Sequence, residues 1–220
     1  MAKRVLMVVT SHATITPEKP TGIWLSEFSE PYTLFRQQGY EVTVASIRGG
    51  KAPVDPRSLK EPVDGETRTA LQELEATIAL RDVPTDDFDA IFLPGGHGTM
   101  YDLPGSEELA QTLRSFYETG RVIGAVCHGP AGLVGATLSD GTPLVTGKRV
   151  TGFTNEEETA AGYDQLMPFL LEDRLKELDA TFVAAPMWAD HIEVDGRLIT
   201  GQNPQSSVSA AKAVIRALEG

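Results

Sequence analysis

Short apolar runs alternate with helical segments along the chain. A continuous apolar run over Arg4–Val9 is typical of a strand buried on both faces of a sheet. Helical sequence follows from about Trp24 to Gln38, with a break or restart at Pro31 and an end at Gly39. Apolar runs later in the chain predict further strands at Glu41–Ile47, Ala90–Leu93, Arg121–Val126, Arg149–Thr151, Thr181–Ala184, His191–Val194 and Leu198–Thr200.

The segments between these strands carry helix and turn signals. Ser106 is a good N-cap residue, and Thr154 with Glu157 forms the capping-box pattern. The Asp195-Gly196 pair predicts a hairpin turn. Further helices are predicted over Glu66–Leu80, Pro168–Leu178 and from Pro204 onward. Residues Arg48–Asp64 are predicted to form a long loop, and loops of that length in compact domains often have a function.

Repeated strand–helix units predict a mainly parallel sheet with helices on both faces. No linker or internal repeat is visible, so residues 1–220 are predicted to form a single doubly wound, flavodoxin-like α/β domain. Active sites of such folds lie at the carboxyl ends of the strands. Three turns of unusual composition fall at that edge: Ser11-His12, Gly95-Gly96 and Cys127-His128.

Cys127 is the only cysteine, and it ends a predicted strand directly before His128. It is either a buried structural thiol or a nucleophile on a sharp strand-to-helix turn, an arrangement similar to a nucleophile elbow. The second interpretation is favoured by the adjacent histidine. Amides of the following helix would then be expected to lower the pKa of the thiol and make Cys127 reactive at neutral pH.

Two other features fit a nucleophile at Cys127. Glycine at Gly95-Gly96 lets a backbone N–H approach closely, and that N–H together with the His128 amide would hold a developing oxyanion. Glu27 lies in an otherwise apolar segment, which is an unusual place for a surface glutamate. It is either a structural residue or the carboxyl group that exchanges protons with the substrate.

Composition and charge narrow the class of protein. Thirty-one acidic and nineteen basic residues give a net charge of −12, which disfavours nucleic acid and anionic membranes as partners. One cysteine permits no internal disulfide, and no targeting or membrane-spanning segment is visible, so a cytoplasmic protein is expected. The four histidines are scattered along the sequence, and no metal site or cofactor is predicted.

Four stretches resemble a known family. Phe92–Pro104 and Gly124–Ala131 are similar to motifs of the ThiJ/PfpI superfamily, whose fold is that of class I glutamine amidotransferases. Val150–Glu158 and Val194–Pro204 resemble the branch that holds stress-inducible holding chaperones and glutathione-independent glyoxalase III. The resemblance extends from the first strand to the last helix.

The resemblance implies roles for five residues. Cys127 corresponds to the family nucleophile and His128 to its neighbouring histidine. Glu27 corresponds to the acidic residue that contacts the sulfur and transfers protons, and Gly96 to the oxyanion-hole glycine. Glu158 corresponds to the carboxylate that orients the histidine, although three consecutive glutamates at 156–158 leave open which of them does so.

The activity that the resemblance implies is that of a cofactor-free glyoxalase III, a hydro-lyase (lactate dehydratase) that converts methylglyoxal to lactate. Its partners would be a small reactive carbonyl substrate and a second copy of the chain. The alternatives are a holding chaperone, a cysteine peptidase or amidase, and a deglycase-like carbonyl repair enzyme. A metal site known in the large chaperone subgroup has no matching His/Glu set here.

One further pattern suggests a glutamine amidotransferase. His191-Ile-Glu193 has the His-x-Glu spacing found in those enzymes, which also use a cysteine. The cysteine turn argues against this interpretation, because the CHGP sequence differs from amidotransferase elbows. We therefore expect residues 191–194 to form an edge strand of the predicted hairpin.

Overall fold

Strands and helices alternate along residues 2–59, 63 and 65–220, which the computed structural model describes. The strands are β1 (Arg4–Val9), β2 (Thr14–Thr16), β3 (Lys19–Pro20), β4 (Glu41–Ser46), β5 (Ile78–Ala79), β6 (Ala90–Leu93), β7 (Val122–Val126), β8 (Arg149–Val150), β9 (Thr181–Phe182), β10 (Ile192–Asp195) and β11 (Leu198–Gly201). The α-helices are α1 (Leu25–Gln37), α2 (Gly65–Glu73), α3 (Thr99–Asp102), α4 (Glu107–Glu118), α5 (Ala131–Val134), α6 (Asn155–Ala161), α7 (Leu171–Glu177) and α8 (Ser207–Glu219).

A seven-stranded sheet with the order β10-β11-β7-β6-β1-β4-β5 runs through the molecule. Its strands pair in parallel except for the antiparallel pair β10–β11. The chain places β4 on one side of β1 and β6 on the other, so the order reverses between β1 and β6. Ligand crevices of flavodoxin-like sheets open at such a point. The predicted mostly parallel α/β fold is therefore confirmed.

Two apolar layers cover the faces of the sheet. Alternate residues of β1 point to opposite sides, so Val5 and Met7 pack in one layer and Leu6 and Val8 in the other. Helices α1, α2 and α8 supply the first layer, and α4, α5 and α7 supply the second. This burial on both faces explains why the strand sequences are continuous apolar runs.

The segment predicted as one helix over Glu66–Leu80 differs from the structure. The helix ends at Glu73, and Ile78–Ala79 forms an edge strand parallel to β4. Thr77 and Gly50 exchange backbone hydrogen bonds next to this strand, which draws the chain away from helical geometry. Within the long predicted loop, Pro56–Ser58 form a turn of 3-10 helix, and residues 60–62 and 64 lie outside the described part.

Helix α1 continues through Pro31, where the sequence predicts a break. Buried aromatic side chains on either side of the proline, Phe28 and Phe35, anchor both halves to the sheet. Helix α7 begins three residues later than predicted, at Leu171. Of the described residues, none belongs to a helix long and apolar enough to cross a bilayer.

The predicted caps and hairpin are confirmed. The Ser106 hydroxyl accepts from the Leu109 N–H at the start of α4. Thr154 and Glu157 form both hydrogen bonds of the capping box that opens α6. Strands β10 and β11 pair across a turn in which Gly196 has a φ of 61°, which favours glycine.

Candidate active site

The turns after β6 and β7 meet at the carboxyl edge of the sheet around a small cavity. Its volume is about 80 Å³. The cavity is lined by Trp24, Glu27, Arg57, Gly96, His97, Cys127, His128, Phe153, Ala161, Trp188 and Pro204. Four of the five residues that the family resemblance implicates therefore face one space, and Glu158 lies directly behind His128.

Cys127 occupies a tight turn with strained backbone. Its φ is 59°, a value that residues other than glycine adopt rarely and that concentrates at functional sites. Its N–H donates to the Gly201 carbonyl, and its carbonyl accepts from the Phe153 N–H. A side chain at Gly129 would meet the Leu93 carbonyl oxygen at 2.1 Å, so the turn requires glycine there. The geometry is that of a nucleophile elbow.

A chain of polar contacts links the thiol to a buried carboxylate. The Cys127 sulfur lies 3.3 Å from His128 Nδ1, and His128 Nε2 lies 2.6 Å from Glu158 Oε2. Burial alone would raise the pKa of Glu158, but the histidine rings that contact it bring that pKa well below its usual range. Glu158 is therefore ionised and acts as an acceptor, which places the His128 proton on Nε2. His128 Nδ1 is left free to accept the thiol proton.

Glu27 lies on the other side of the thiol, fully buried near the start of α1. Its Oε2 accepts from the Gly95 N–H at 2.8 Å. Burial raises the pKa of Glu27 to about 8, against the opposing effect of hydrogen bonds from Cys127 and Gly95. A Cβ at Gly95 would lie 2.6 Å from that same carboxylate oxygen, so Gly95 is required for this contact. Glu27 is therefore mostly protonated at neutral pH.

The expected lowering of the Cys127 pKa is wrong. Burial raises the pKa of the thiol well above its ordinary value, and the Glu27 carboxylate raises it further. Helix α5, which follows the turn, has only four residues and begins at Ala131, so its dipole provides little compensation. The thiol must therefore transfer its proton as it reacts.

Backbone N–H groups suited to an oxyanion border the same cavity. Gly96 has a φ of 104°, and a side chain there would meet the Gly22 carbonyl oxygen at 2.2 Å. Within the described residues, the N–H groups of Gly96 and His128 have no backbone or side-chain acceptor. The Gly95 N–H is occupied by Glu27, so of the two glycines only Gly96 is available.

Two neighbouring residues were not identified from the sequence as parts of the site. His97 Nε2 lies 2.7 Å from Glu158 Oε1, and Arg57 Nη2 lies 3.0 Å from His97 Nδ1. Arg57 belongs to the predicted functional loop. The only signals were the position of His97 in the same glycine turn and the length of that loop.

Histidines that are scattered in the sequence thus meet in space. His97, His128 and Glu158 bring their ligand atoms within 4.8 Å of one another, a donor set that could hold a metal ion. A metal would need the lone pair of His97 Nε2, which would move the ring proton to Nδ1 opposite the Arg57 guanidinium. An arginine guanidinium can donate hydrogen bonds but cannot accept one, so it would have no interaction with an N–H at His97 Nδ1. These residues therefore fit a hydrogen-bonded cluster better than a metal centre.

The three consecutive glutamates have different surroundings. Glu156 is exposed, and Glu158 contacts the two histidines. Glu157 is buried, and its Oε1 accepts from Gln202, Asn203 and the Trp188 N–H. Glu157 therefore combines its capping role with fixing the segment that carries the cavity wall residue Trp188.

The His-x-Glu pair formed by His191 and Glu193 lies outside the Cys127 cavity. His191 Nε2 is 3.3 Å from Glu193 Oε1, and Glu193 also pairs with Arg149. Neither His191 nor Glu193 lines the Cys127 cavity. Ile192–Asp195 form the edge strand β10, so the predicted edge strand is present and begins one residue later than expected.

The mostly parallel α/β sheet, with a cysteine on a tight turn, an adjacent histidine and a buried carboxylate, places the protein among flavodoxin-like α/β proteins that carry a cysteine at the carboxyl edge of the sheet. The chain belongs to the DJ-1/PfpI family, whose model matches residues 20–217. It is 35% identical to glutathione-independent glyoxalase HSP31 of Saccharomyces cerevisiae, over 99% of this chain and 98% of that protein.

Solved structures agree with this assignment. The glyoxalase III of Candida albicans superposes with a TM-score of 0.90 at 31% identity, covering 98% of this chain and 97% of that one. The 24-kDa rapid encystment protein of Francisella tularensis superposes with a TM-score of 0.94 at 36% identity, covering 98% and 99%.

Proposed function

We propose that the protein is a glutathione-independent glyoxalase that converts methylglyoxal to lactate at Cys127. Relatives named as glyoxalases match nearly the whole chain, and one of them shares the fold closely. Because removal of water from lactate is the reverse reaction, the activity belongs to the hydro-lyases. A cytoplasmic location and a homodimeric assembly remain predictions.

The observation that carries the proposal is the buried carboxyl group of Glu27 next to the only thiol. Conversion of a 2-oxoaldehyde to a 2-hydroxy acid requires that a proton leave one carbon and another reach the adjacent carbon. A general base with a pKa near the working pH performs such a transfer best, and burial brings the pKa of Glu27 to about 8. Peptide hydrolysis has no step that needs this second acid–base group.

The size of the cavity supports a small substrate. About 80 Å³ corresponds to the liquid volume of roughly two to three water molecules, enough for a compound of a few heavy atoms. Three aromatic residues, Trp24, Phe153 and Trp188, border this space. A polypeptide substrate would require a longer groove, so the peptidase alternative is disfavoured.

The first step is addition of the thiol to the aldehyde. The Cys127 sulfur forms a bond to the aldehyde carbon while its proton passes to His128 Nδ1, 3.3 Å away. Glu158 stabilises the resulting imidazolium. The aldehyde oxygen becomes an oxyanion, to which the N–H groups of Gly96 and His128 donate until His128 returns the proton. The product is a hemithioacetal.

The second step moves a proton between the two substrate carbons. Ionised Glu27 removes the hydrogen from the sulfur-bearing carbon, which forms an enediolate. The hydroxyl proton of the hemithioacetal passes to the neighbouring oxygen, and protonated Glu27 then delivers its proton to the neighbouring carbon and is ionised again. The result is a thioester of lactate on Cys127. Water hydrolyses this thioester, with His128 as the base, and releases lactate and the free thiol. The net reaction converts methylglyoxal and water to lactate and needs no oxidant or reductant.

The test is to incubate the purified protein with methylglyoxal alone and to measure lactate. Wild type should form lactate, and Cys127→Ala should show only the uncatalysed background. Absence of lactate above that background would exclude the proposal. Suppression of aggregation of an unfolded client that persists in Cys127→Ala, without lactate formation by wild type, would favour the chaperone alternative.

A further inference from the structure

His97 is a buried residue of the site that the proposed reaction does not use. It lies in the turn after β6, with Arg57 on one side of its ring and Glu158 on the other. Its ring also packs against those of His128, at a centroid distance of 4.3 Å, and Tyr163, at 4.7 Å. These four residues are the titratable or charged groups that face it in the described structure.

The contacts of His97 determine where its proton lies. An arginine guanidinium only donates hydrogen bonds and stays protonated in proteins. Since Arg57 Nη2 lies 3.0 Å from His97 Nδ1, that nitrogen must be the acceptor. The single proton of the neutral ring is then on Nε2, where it is donated to Glu158 Oε1 at 2.7 Å. Burial and the neighbouring His128 lower the pKa of His97 to about 4, in keeping with a neutral ring.

Arg57 is itself held in place. Its backbone N–H and its guanidinium all donate to the carboxylate of Asp55, at distances from 2.6 to 2.9 Å. Asp55 is completely buried and also accepts from the Thr21 hydroxyl. The guanidinium lies over the Tyr163 ring at 4.3 Å. The arginine therefore presents a donor to His97 from a fixed position.

Glu158 has two oxygens, and each accepts from one histidine. His128 Nε2 contacts Oε2 at 2.6 Å, and His97 Nε2 contacts Oε1 at 2.7 Å. A carboxylate held by one donor can rotate about its last torsion, whereas two donors fix its plane. The direction in which His128 presents Nδ1 to the Cys127 sulfur therefore depends on the second contact.

We propose that His97 is a positioning residue: Arg57 holds it as the neutral Nε2–H tautomer, and in this form it fixes the Glu158 carboxylate that orients His128. This inference rests on the proposed function for its kinetic consequences, but the tautomer and the orientation can be measured without turnover. The arrangement joins the loop after β4 to the nucleophile through Asp55, Arg57, His97, Glu158 and His128.

The test compares His97→Phe with His97→Gln. Phenylalanine keeps a ring and removes both polar contacts, whereas glutamine can accept from Arg57 through its oxygen and donate to Glu158 through its amide. His97→Phe should lower kcat about 10- to 100-fold with a smaller change in KM. His97→Gln should recover most of the kcat.

Two measurements do not depend on turnover. Long-range ¹H–¹⁵N spectra of wild type should show His97 with the proton on Nε2, unchanged between about pH 6 and about pH 8. The rate of Cys127 alkylation by iodoacetamide should change in His97→Phe and return towards wild type in His97→Gln.

A proton on Nδ1, or wild-type alkylation kinetics in folded His97→Phe, would overturn the inference. If His97→Phe does not fold, the spectrum of wild type and the kinetics of His97→Gln test the positioning role instead. A folded His97→Gln variant whose kcat is lower by more than 100-fold would contradict that role. A wild type that does not turn over methylglyoxal would end the proposed function, and the spectrum and alkylation rates would still decide the role of His97.

Discussion

Replacing Glu27 with glutamine should remove a loss of stability that wild type shows as the pH rises, and it should make the protein much less active. The buried carboxyl group has a pKa of about 8 against an ordinary value of 4.5. Below the lower value both the folded and the unfolded chain are protonated, and Glu27 contributes no pH dependence. Above it the unfolded chain releases its proton while the folded chain keeps it, so stability falls with rising pH up to about 8 and then levels off.

The size of this effect follows from the difference in pKa. Each pKa unit corresponds to about 1.4 kcal/mol, so wild type should lose about 3 kcal/mol of unfolding free energy between pH 5 and pH 7 through this residue. Glutamine does not titrate, so its effect on the unfolding free energy is the same at pH 5 and pH 7. This effect therefore drops out of the difference between the two pH values. For a chain of this length, Glu27→Gln should gain about 6–12 °C in relative melting temperature over the same interval.

Turnover should move in the opposite direction. Loss of a general base typically costs about 10²–10⁴ in rate. Thiol addition does not require Glu27, so the variant should still form the hemithioacetal, which a mass spectrum of the substrate-treated protein can detect. Glu30→Gln is a matched control for turnover, because Glu30 lies on the same helix but does not line the cavity. Since burial also raises the pKa of Glu30, the reference for the melting temperatures is wild type.

The decisive comparison is turnover per folded molecule in the two variants, together with the melting temperatures of Glu27→Gln and wild type at pH 5 and pH 7. Near-normal turnover in Glu27→Gln would remove Glu27 from the mechanism and leave His128 as the only base in the site. A melting difference from wild type that is independent of pH would show that the buried carboxyl group is not protonated in the folded protein.

Two further predictions concern the thiol and its histidine. Because burial raises the pKa of Cys127, iodoacetamide should alkylate it at neutral pH more slowly than a simple thiol, and faster as the pH rises. Alkylation at pH 7 as fast as that of a simple thiol would contradict this prediction. Glu158→Gln should lower kcat by at least about tenfold, because an amide nitrogen would oppose one of two histidine N–H donors, whereas Glu156→Gln, at an exposed position, should leave kcat unchanged. Equal effects of the two changes would exclude Glu158 as the orienting carboxylate.

The sheet was predictable because its strands are buried on both faces. Ala90–Leu93 is apolar throughout and Arg4–Val9 is apolar after its first residue, and the predicted bounds of both strands agree with the structure. The short edge strand Ile78–Ala79 was missed, since its stability comes from pairing with β4 rather than from its own sequence. Pro31 was misjudged for a related reason: tertiary burial of its helix outweighs the local preference of proline.

The residues of the site were predictable where they adjoin a turn or a strand end. The structure brings Cys127, His128, Gly96, Glu27 and Glu158 to one place, although the sequence left three glutamates as candidates for the last position. The electrostatics were not predictable. Whether a thiol has a raised or lowered pKa depends on burial and on carboxyl groups that come from distant segments.

His97 and Arg57 show the same limit more clearly. Their contact joins residues that are forty positions apart in the chain. A histidine in a glycine-rich turn and an arginine in a loop carry no periodic signal that would connect them. Only the packing of the loop after β4 against the turn after β6 reveals that they act on the same carboxylate.

The most direct test of the central claim is a time course followed by NMR, with methylglyoxal as the only added substrate. Wild type should consume methylglyoxal and form lactate in equal amounts, Cys127→Ala should form none above background, and Glu27→Gln should form it at a rate lower by about 10²–10⁴. Lactate formation that persists unchanged in Cys127→Ala would contradict the proposed mechanism, because no other residue that lines the described cavity carries a thiol, hydroxyl or amine nucleophile for the covalent adduct.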